Sequence, residues 1–380
     1  MLVVDDSAVA RRLIAMALGS DPTIEVVLAA DPVIAATKIE QTAPDVILLD
    51  LEMPRMDGLS FLRRLMAEHP IPTVVCSAVA APGTEAALRA LADGAVEILE
   101  KPRWRDGALR SEWTRDLLRT IRAAALARVA KRKSTPQLPL RRGPPHAESA
   151  ARRGSHFVVA IGASTGGPEA LTTLLRALPA DGPGIVIAQH MPAAFTGALA
   201  RHLDSVSEIR VREAADGDAI LDGHALVAPG DRHVVVLRTG GRFSVSVLEG
   251  PRIGGHRPSV DVLFRSVARA AGPHAVGVEL TGMGADGAEG LLAMRRAGAW
   301  TLAQDAETCV VFGMPREAIA RGAAAMVLPL ERIPGAIVAS VRRNGRRGPS
   351  DADAPPRLSV VGGPGPNPQR PSNLGGRRSR

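Results

Sequence analysis

The feature that most constrains this chain is a recurring unit. A short run of aliphatic and β-branched residues stops on a polar or small residue, and a helical pattern follows. Leu2–Val4 stops at Asp5, Val46–Leu49 at Asp50, Thr73–Cys76 at Ser77, and Ala95–Leu99 just before Lys101. Short apolar runs without alternation are buried on both faces, as parallel strands covered by helices are. Strands alternating with helices predict a doubly wound α/β fold. In such sheets the functional crevice lies at the carboxyl ends of the strands. The residues on which the runs stop are therefore where chemistry is expected.

The unit recurs in two regions. In the first, strands are expected at Leu2–Val4, Glu25–Leu28, Val46–Leu49, Thr73–Cys76 and Ala95–Leu99. Helices are expected at Ala8–Leu18, Val33–Gln41, Leu59–Glu68, Thr84–Ala92 and Ser111–Val129. In the second, strands are expected at Phe157–Ile161, Gly184–Ala188, Ala225–Val227, Ala275–Leu280 and Thr301–Gln304. Helices are expected there at Pro168–Ala177, Val260–Ala271, Gly287–Ala297 and Met314–Arg321. Val234–Leu237 and Phe243–Leu248 flank Thr239-Gly240-Gly241 as a hairpin would. This predicts two mainly parallel α/β domains, at residues 1–128 and 156–340. Residues 129–155 read as a basic linker containing Pro and Gly, and 341–380 as a disordered basic tail.

Length and composition fit that division. The 380 residues are 46% hydrophobic, enough for two cores. No apolar run is long enough to span a membrane, and Met1-Leu-Val-Val-Asp-Asp carries no basic leader, so no signal peptide is expected. Two cysteines, Cys76 and Cys309, exclude a disulfide framework or a cysteine zinc site, and they fit a reducing cytoplasm. The net charge of +8 suggests a nucleic-acid partner until it is mapped. Residues 126–156 and 341–380 hold 17 of the 47 Lys and Arg but only 3 of the 39 Asp and Glu. Both domains are mildly acidic. Such runs are usually solvated, and they contain neither interleaved aromatics nor a helix-turn-helix pattern. No nucleic acid is expected.

Asp5, Asp6, Asp50, Ser77 and Lys101 all stand at carboxyl ends of predicted parallel strands in the first region. Clustered carboxylates repel unless a hard divalent cation neutralises them, and Mg²⁺ takes oxygen ligands while keeping room for a phosphate. Lys101 offers a charge and Ser77 a hydroxyl to phosphate oxygens. Phosphoryl transfer onto Asp50 uses all of these groups. Asp6 or Ser7 could instead simply cap the helix that follows. Val3-Val-Asp-Asp-Ser7, Leu48-Leu-Asp-Leu-Glu-Met-Pro-Arg-Met-Asp-Gly58 and Glu100-Lys-Pro102 resemble a response-regulator receiver domain, over about residues 1–125. The resemblance implies a flavodoxin-like fold with Asp50 as phosphoacceptor. It implies Mg²⁺ held by Asp5, Asp6, Asp50 and the Glu52 backbone carbonyl, with Ser77 and Lys101 reading the acyl phosphate. Ile98 stands where such domains often carry an aromatic residue.

In the second region Ser164 sits in Gly162-Ala-Ser-Thr-Gly-Gly-Pro168, between a strand and a helix. His190 ends Ile185-Val-Ile-Ala-Gln-His, and Asp286 lies in Thr281-Gly-Met-Gly-Ala-Asp-Gly287 after a third strand. The three face one sheet edge, an arrangement of nucleophile, base and orienter. Alternatives stay open on the residues alone. The glycine loop could cradle a phosphate, Asp286 could cap the next helix, and His256 is a rival base, though it follows no strand. Gly162–Pro168, Gln189-His-Met-Pro192, His256-Arg-Pro-Ser-Val-Asp261, Thr281–Gly287 and Gly313-Met-Pro315 resemble the chemotaxis protein-glutamate methylesterase catalytic domain, over about residues 157–335. The resemblance implies Ser164 as nucleophile, His190 as general base and Asp286 as orienter, with Thr165 and Met283 lining the site. Phe312 replaces a tyrosine common before this Gly-Met-Pro.

Together the two resemblances imply phosphorylation-activated hydrolysis of glutamate methyl esters on methyl-accepting chemotaxis receptors, with a chemotaxis histidine kinase as phosphodonor. Receptor glutamine deamidation by the same acyl-enzyme route is implied as well, and ester hydrolysis needs no cofactor. The unphosphorylated receiver should lie over the catalytic edge. Two other readings are a response regulator with a non-catalytic or nucleic-acid-binding output domain, and a receiver-regulated serine esterase with a non-chemotaxis substrate.

Overall fold

The computed structural model describes residues 1–53, 57–77, 81–101, 107–130 and 154–345. Most of the expected linker, the distal tail and Pro102 lie outside the described residues.

The first domain has strands β1 (Leu2–Val4), β2 (Val27–Ala29), β3 (Ile47–Asp50), β4 (Thr73–Ser77) and β5 (Glu97–Glu100). They form one parallel sheet in the order β2-β1-β3-β4-β5. The chain moves outward from β1 in both directions, so the order reverses between β1 and β3. Asp5 follows β1 and Asp50 ends β3, which places both carboxylates at that switch point. Ser7, not Asp6, caps the helix Ala8–Leu18, its hydroxyl accepting from Ala10 N at 3.3 Å. That leaves the Asp6 carboxylate available for other work.

The second domain adds β6 (Val158–Ala163), β7 (Gly184–Gln189), β8 (Arg210–Glu213), β9 (His224–Val227), β10 (His233–Thr239), β11 (Arg242–Leu248), β12 (Ala275–Glu279), β13 (Trp300–Gln304) and β14 (Met326–Leu328). Seven of them make a parallel sheet in the order β14-β13-β12-β6-β7-β9-β8, and β10 and β11 pair as the expected hairpin. The order reverses between β6 and β12. Gly162 of β6 pairs with Glu279 of β12, and Ala163 pairs with Gln189 of β7. The residues just beyond these ends, Ser164 and His190, are therefore level. The helix Val260–Ala271 buries Val260, Leu263, Phe264 and Val267 against the sheet, a helical stripe at three- and four-residue spacing.

The structure moves several boundaries. The second strand is Val27–Ala29 rather than Glu25–Leu28, and the helix expected at Ser111–Val129 is Gly107–Ala125. Gly154 bridges Leu221, and Ser155 N donates to Ile220 O at 3.0 Å. Those two residues thus belong to the second domain and not to the linker. The last helix, Ile333–Gly345, carries regular structure into the first residues assigned to the tail. Strands β8 and β14 and the helices Ala193–Val206 and Ile333–Gly345 had no counterpart in the sequence reading. Among the described residues no helix is long and apolar enough to cross a membrane.

Candidate active site and phosphoacceptor site

Carboxylate oxygens of Asp5, Asp6 and Asp50 lie within 4.8 Å of one another. Asp5 and Asp50 are buried and Asp6 is exposed. Lys101 Nζ stands 2.6 Å from Asp50 Oδ2 and 3.0 Å from Asp5 Oδ2. The second approach lies off the hydrogen-bond direction, so Asp5 Oδ2 is buried without a hydrogen bond. Such an oxygen suits a cation ligand. Burial pushes the Asp50 carboxyl up from its ordinary value, and the Lys101 ammonium works against that shift. Burial opposes the Lys101 charge in turn, but Asp50 and Asp5 more than offset it. Glu52 N donates to Asp50 Oδ1 at 3.1 Å, and Lys101 N to the carbonyl of the buried Ser77 at 2.9 Å. The carboxylates of Asp5, Asp6 and Asp50 and the Lys101 ammonium converge, and Ser77 and Glu52 adjoin them through the backbone contacts.

At the other sheet, His190 Nε2 meets Asp286 Oδ2 at 2.9 Å. Asp286 does not cap its own following helix, whose N-cap is Gly287. Its carboxylate accepts from Val260 N at 2.8 Å, Asp261 N at 3.1 Å and Ser259 Oγ at 2.8 Å. It thus caps the helix Val260–Ala271 across space. Burial would raise its pKa, but the His190 hydrogen bond and the amides of Asp261 and Val260 hold it at about 2. A carboxylate at a helix N-terminus is favoured in the same sense. Asp286 therefore stays ionised and fixes which imidazole nitrogen carries the proton. The other nitrogen, Nδ1, is buried with no hydrogen-bond partner.

Ser164 is 7% exposed. Its backbone N donates to Thr281 O at 3.0 Å, and its carbonyl accepts from the buried Gln189 Nε2 at 2.9 Å. Gly166 turns the loop at φ +77°, a conformation glycine adopts without strain. A Cβ on Gly282 would sit 2.7 Å from Ser164 Cβ, so only glycine lets that strand end pass the serine. Ser164, Thr165, His190 and Met283 line one cavity of about 330 Å³. No hydrogen bond joins Ser164 Oγ to His190 among the described residues; such contacts are often loose before substrate binds. Glu279, the last residue of β12, is fully buried with neither carboxylate oxygen hydrogen-bonded.

Residues 159–337 match the CheB methylesterase family model, and residues 1–111 match that of the response regulator receiver domain. Protein-glutamate methylesterase/protein-glutamine glutaminase 1 of Anaeromyxobacter dehalogenans is 52% identical over 347 residues, covering 90% of this chain and 99% of its own length. Protein 5 of that name from the same organism is 54% identical over 341 residues, covering 88% and 94%. The chain belongs to the protein-glutamate methylesterase/protein-glutamine glutaminase family. The crystal structure of the Thermotoga maritima CheB methylesterase catalytic domain is 40% identical and covers 49% of this chain and 98% of its own, with a TM-score of 0.48.

In this family member the receiver forms one wall of the methylesterase cavity. Glu97–Lys101 of the receiver and residues from Glu112 to Ala123 of the helix Gly107–Ala125 line it alongside Ser164 and His190. Val96 O accepts from Gly166 N at 3.2 Å, and the Thr165 hydroxyl hydrogen-bonds the buried Glu97. Arg119 Nη1 donates to Gly255 O at 3.3 Å and stands 3.1 Å from His256 Nδ1. Arg252 of the methylesterase domain meets Glu112 of the receiver at 2.8 Å.

The sequence reading undervalued His256. Its ring stacks on His190 with centroids 3.8 Å apart and planes 8° from parallel. Burial, then His190 and Arg119, hold its pKa at about 2, so it is neutral. It packs face to face with His190 at the edge of the cavity, and its Gly-Gly-His-Arg-Pro-Ser setting was the available signal. Ser259 and Gln189 also hold the site from behind. Arg119, Glu97 and Arg252 left no sequence signal, because their roles depend on how two separate sheets meet.

Proposed function

We propose that this chain hydrolyses γ-glutamyl methyl esters on methyl-accepting chemotaxis receptors, and the corresponding glutamine amides, in the cytoplasm. Phosphorylation of Asp50 by a chemotaxis histidine kinase controls access to the site. One observation carries the reading. Asp286 holds His190 Nε2 at 2.9 Å, Nδ1 is left without a hydrogen-bond partner, and His190 and Ser164 line the same cavity.

The steps follow from that geometry. His190 Nδ1 takes the Ser164 proton as Oγ bonds to the ester carbonyl carbon, and the imidazolium faces the Asp286 carboxylate. The tetrahedral adduct breaks its bond to the methoxy oxygen, which leaves as methanol with the proton held on Nδ1. Water then adds to the acyl-enzyme by the same proton route, and free glutamate and Ser164 are regenerated. With glutamine the leaving group is ammonia. Thr165 and Met283 line the space in which this happens. Backbone amides of the Ser164 loop would stabilise the oxyanion, at about 3 kcal/mol per donor. Gly166 N is taken by Val96 O while the receiver is docked.

Asp5, Asp6 and Asp50 would hold Mg²⁺ with the Glu52 carbonyl, and that charge offsets repulsion between carboxylates and an incoming phosphoryl group. Lys101 and Ser77 would then read phospho-Asp50. A physical path leads from there to the cavity. Lys101 adjoins Glu100, whose carbonyl accepts from Trp113 Nε1 at 2.8 Å, and Trp113 sits on the helix that carries Glu112 and Asp116. Re-pairing of Lys101 would pull on the helix that walls the active site and bias the pair of domains toward the open arrangement.

The test is methanol release from methylated receptor membranes, with and without a small-molecule phosphodonor and Mg²⁺. Release should vanish in Ser164→Ala, and its stimulation by phosphodonor should vanish in Asp50→Asn. Unstimulated release that survives Ser164→Ala would refute the mechanism.

A further inference from the structure

The receiver wall of the cavity carries two carboxylates on one helical face. Glu112 and Asp116 are four residues apart on Gly107–Ala125, so both point the same way. Arg252 Nη2 stands 2.8 Å from Glu112 Oε1, and Nη1 3.6 Å from Asp116 Oδ2. On the methylesterase side, Arg252 Nη2 and Arg257 Nη2 lie 3.7 Å and 3.8 Å from the same oxygen of Asp231. Arg257 Nη1 donates to Gly250 O at 2.5 Å, while its Nε is buried without a hydrogen-bond partner. Glu112, Asp116, Asp231, Arg252 and Arg257 all line the cavity that holds Ser164 and His190. Arg119 leaves with the receiver and pairs with Asp116 on its own helix at 3.1 Å.

The charges therefore balance only while the receiver is docked. Once it moves away, two guanidinium groups face one carboxylate, Asp231, beside the nucleophile. A guanidinium is the group best suited to a carboxylate, because its planar fork donates two parallel hydrogen bonds. The docked receiver also shows that a helix bearing carboxylates can occupy this space. A protein substrate has to enter the same space.

We propose that Arg252, with Arg257 beside it, is a substrate subsite that takes an acidic side chain carried by the same polypeptide segment as the glutamyl group being hydrolysed. Glu112 and Asp116 of the receiver occupy that subsite as stand-ins for the substrate. The proposal rests on the ester-hydrolase reading above and adds the chemistry of the neighbouring residue that the enzyme recognises. It makes Arg252 a specificity determinant rather than part of the proton-transfer machinery.

The test uses the full chain carrying Glu112→Gln and Asp116→Asn, treated with phosphodonor so that the subsite is open. Two methylated receptors are compared in membranes. One has its native acidic residues within a turn of the methylated site, and in the other those residues are changed to glutamine. Methanol release should show a KM about tenfold lower for the acidic receptor, as expected for one charge-assisted pair, with similar kcat. Adding Arg252→Gln should raise that KM to the value for the neutralised receptor and leave kcat unchanged. Arg252→Lys should restore part of the preference. A thermal transition equal to that of the parent shows that each variant is folded. A preference that survives Arg252→Gln, or no preference in the open enzyme, overturns the proposal and leaves the hydrolase reading standing. No methanol from either receptor overturns the hydrolase reading and the subsite with it.

Discussion

Replacing Glu279 with methionine should stabilise the chain at pH 8. Glu279 is fully buried, and neither carboxylate oxygen has a hydrogen-bond partner. Burial first, then the nearby charges of Asp286 and Asp261, push its pKa well above the ordinary 4.5. The raised value in the folded state fixes the sign. The contribution of this group is fully present below the unfolded pKa and is lost as pH rises through the folded pKa. Leaving a buried polar group unsatisfied costs about 1–3 kcal/mol, and at pH 8 the cost of retaining a proton or burying a charge adds to it. Methionine removes both costs. It also keeps an unbranched shape where β12 passes Gly162, Gly287 and Val260. The expected gain at pH 8 is about 1–3 kcal/mol, equivalent to a rise in Tm of roughly 2–4 °C per kcal/mol for a domain of this size. Glu279→Gln cannot ionise but stays unpartnered, so it should fall between wild type and methionine. Urea unfolding followed by circular dichroism at pH 5 and pH 8 measures all three, and the methionine advantage should shrink at pH 5. A methionine variant that is less stable than wild type at pH 8 would refute the reasoning and show that the carboxyl group stabilises the fold.

Three other outcomes are expected. Burial pushes Glu97 up to about 7 at the receiver–methylesterase contact. The closed arrangement should therefore be fully stabilised below the ordinary glutamate pKa and weaken as pH rises through 7. Unphosphorylated methanol release should climb between pH 6 and pH 8, and Glu97→Gln should flatten that part of the rise; an unchanged profile would count against it. Asp286→Asn should cut kcat by about 10⁴-fold and, because a helix cap weakens, cost roughly 1 kcal/mol of stability, both readable from methanol release and urea unfolding on one preparation. Arg119→Ala removes the receiver's hold on His256 and Gly255 and should raise unphosphorylated release several-fold, with little change once phosphodonor is added.

The parallel strands were legible because burial on both faces leaves a continuous apolar signature, as in Ile185-Val-Ile-Ala. Edge strands lack it. β8, Arg210-Val-Arg-Glu, exposes charged residues, as solvent-facing edges do, and β14 is a brief Met-Val-Leu after a run of alanines. The helix Ala193–Val206 opens on Pro192, with no side chain capping it, so no start signal stood in the sequence. Ser164 and His190 stood out because each directly follows a buried strand, and Asp286 because it lies in the glycine-rich loop after a third; the sheet order brings those strand ends together. His256 reaches the site from a loop between the hairpin and a helix, where no periodicity reports position. The contacts of Glu97, Arg119 and Arg252 arise from packing between two domains, which no local pattern encodes.

The stacked imidazoles carry a consequence for how the receiver restrains the enzyme. The His256 ring lies parallel to that of His190 with centroids 3.8 Å apart, and Arg119 Nη1 of the receiver stands 3.1 Å from His256 Nδ1. A docked receiver thus reaches toward His190 through one interposed ring, besides walling the cavity. Undocking removes a neighbour of that stack along with the wall, so the receiver bears on the setting of the two histidines as well as on access to them.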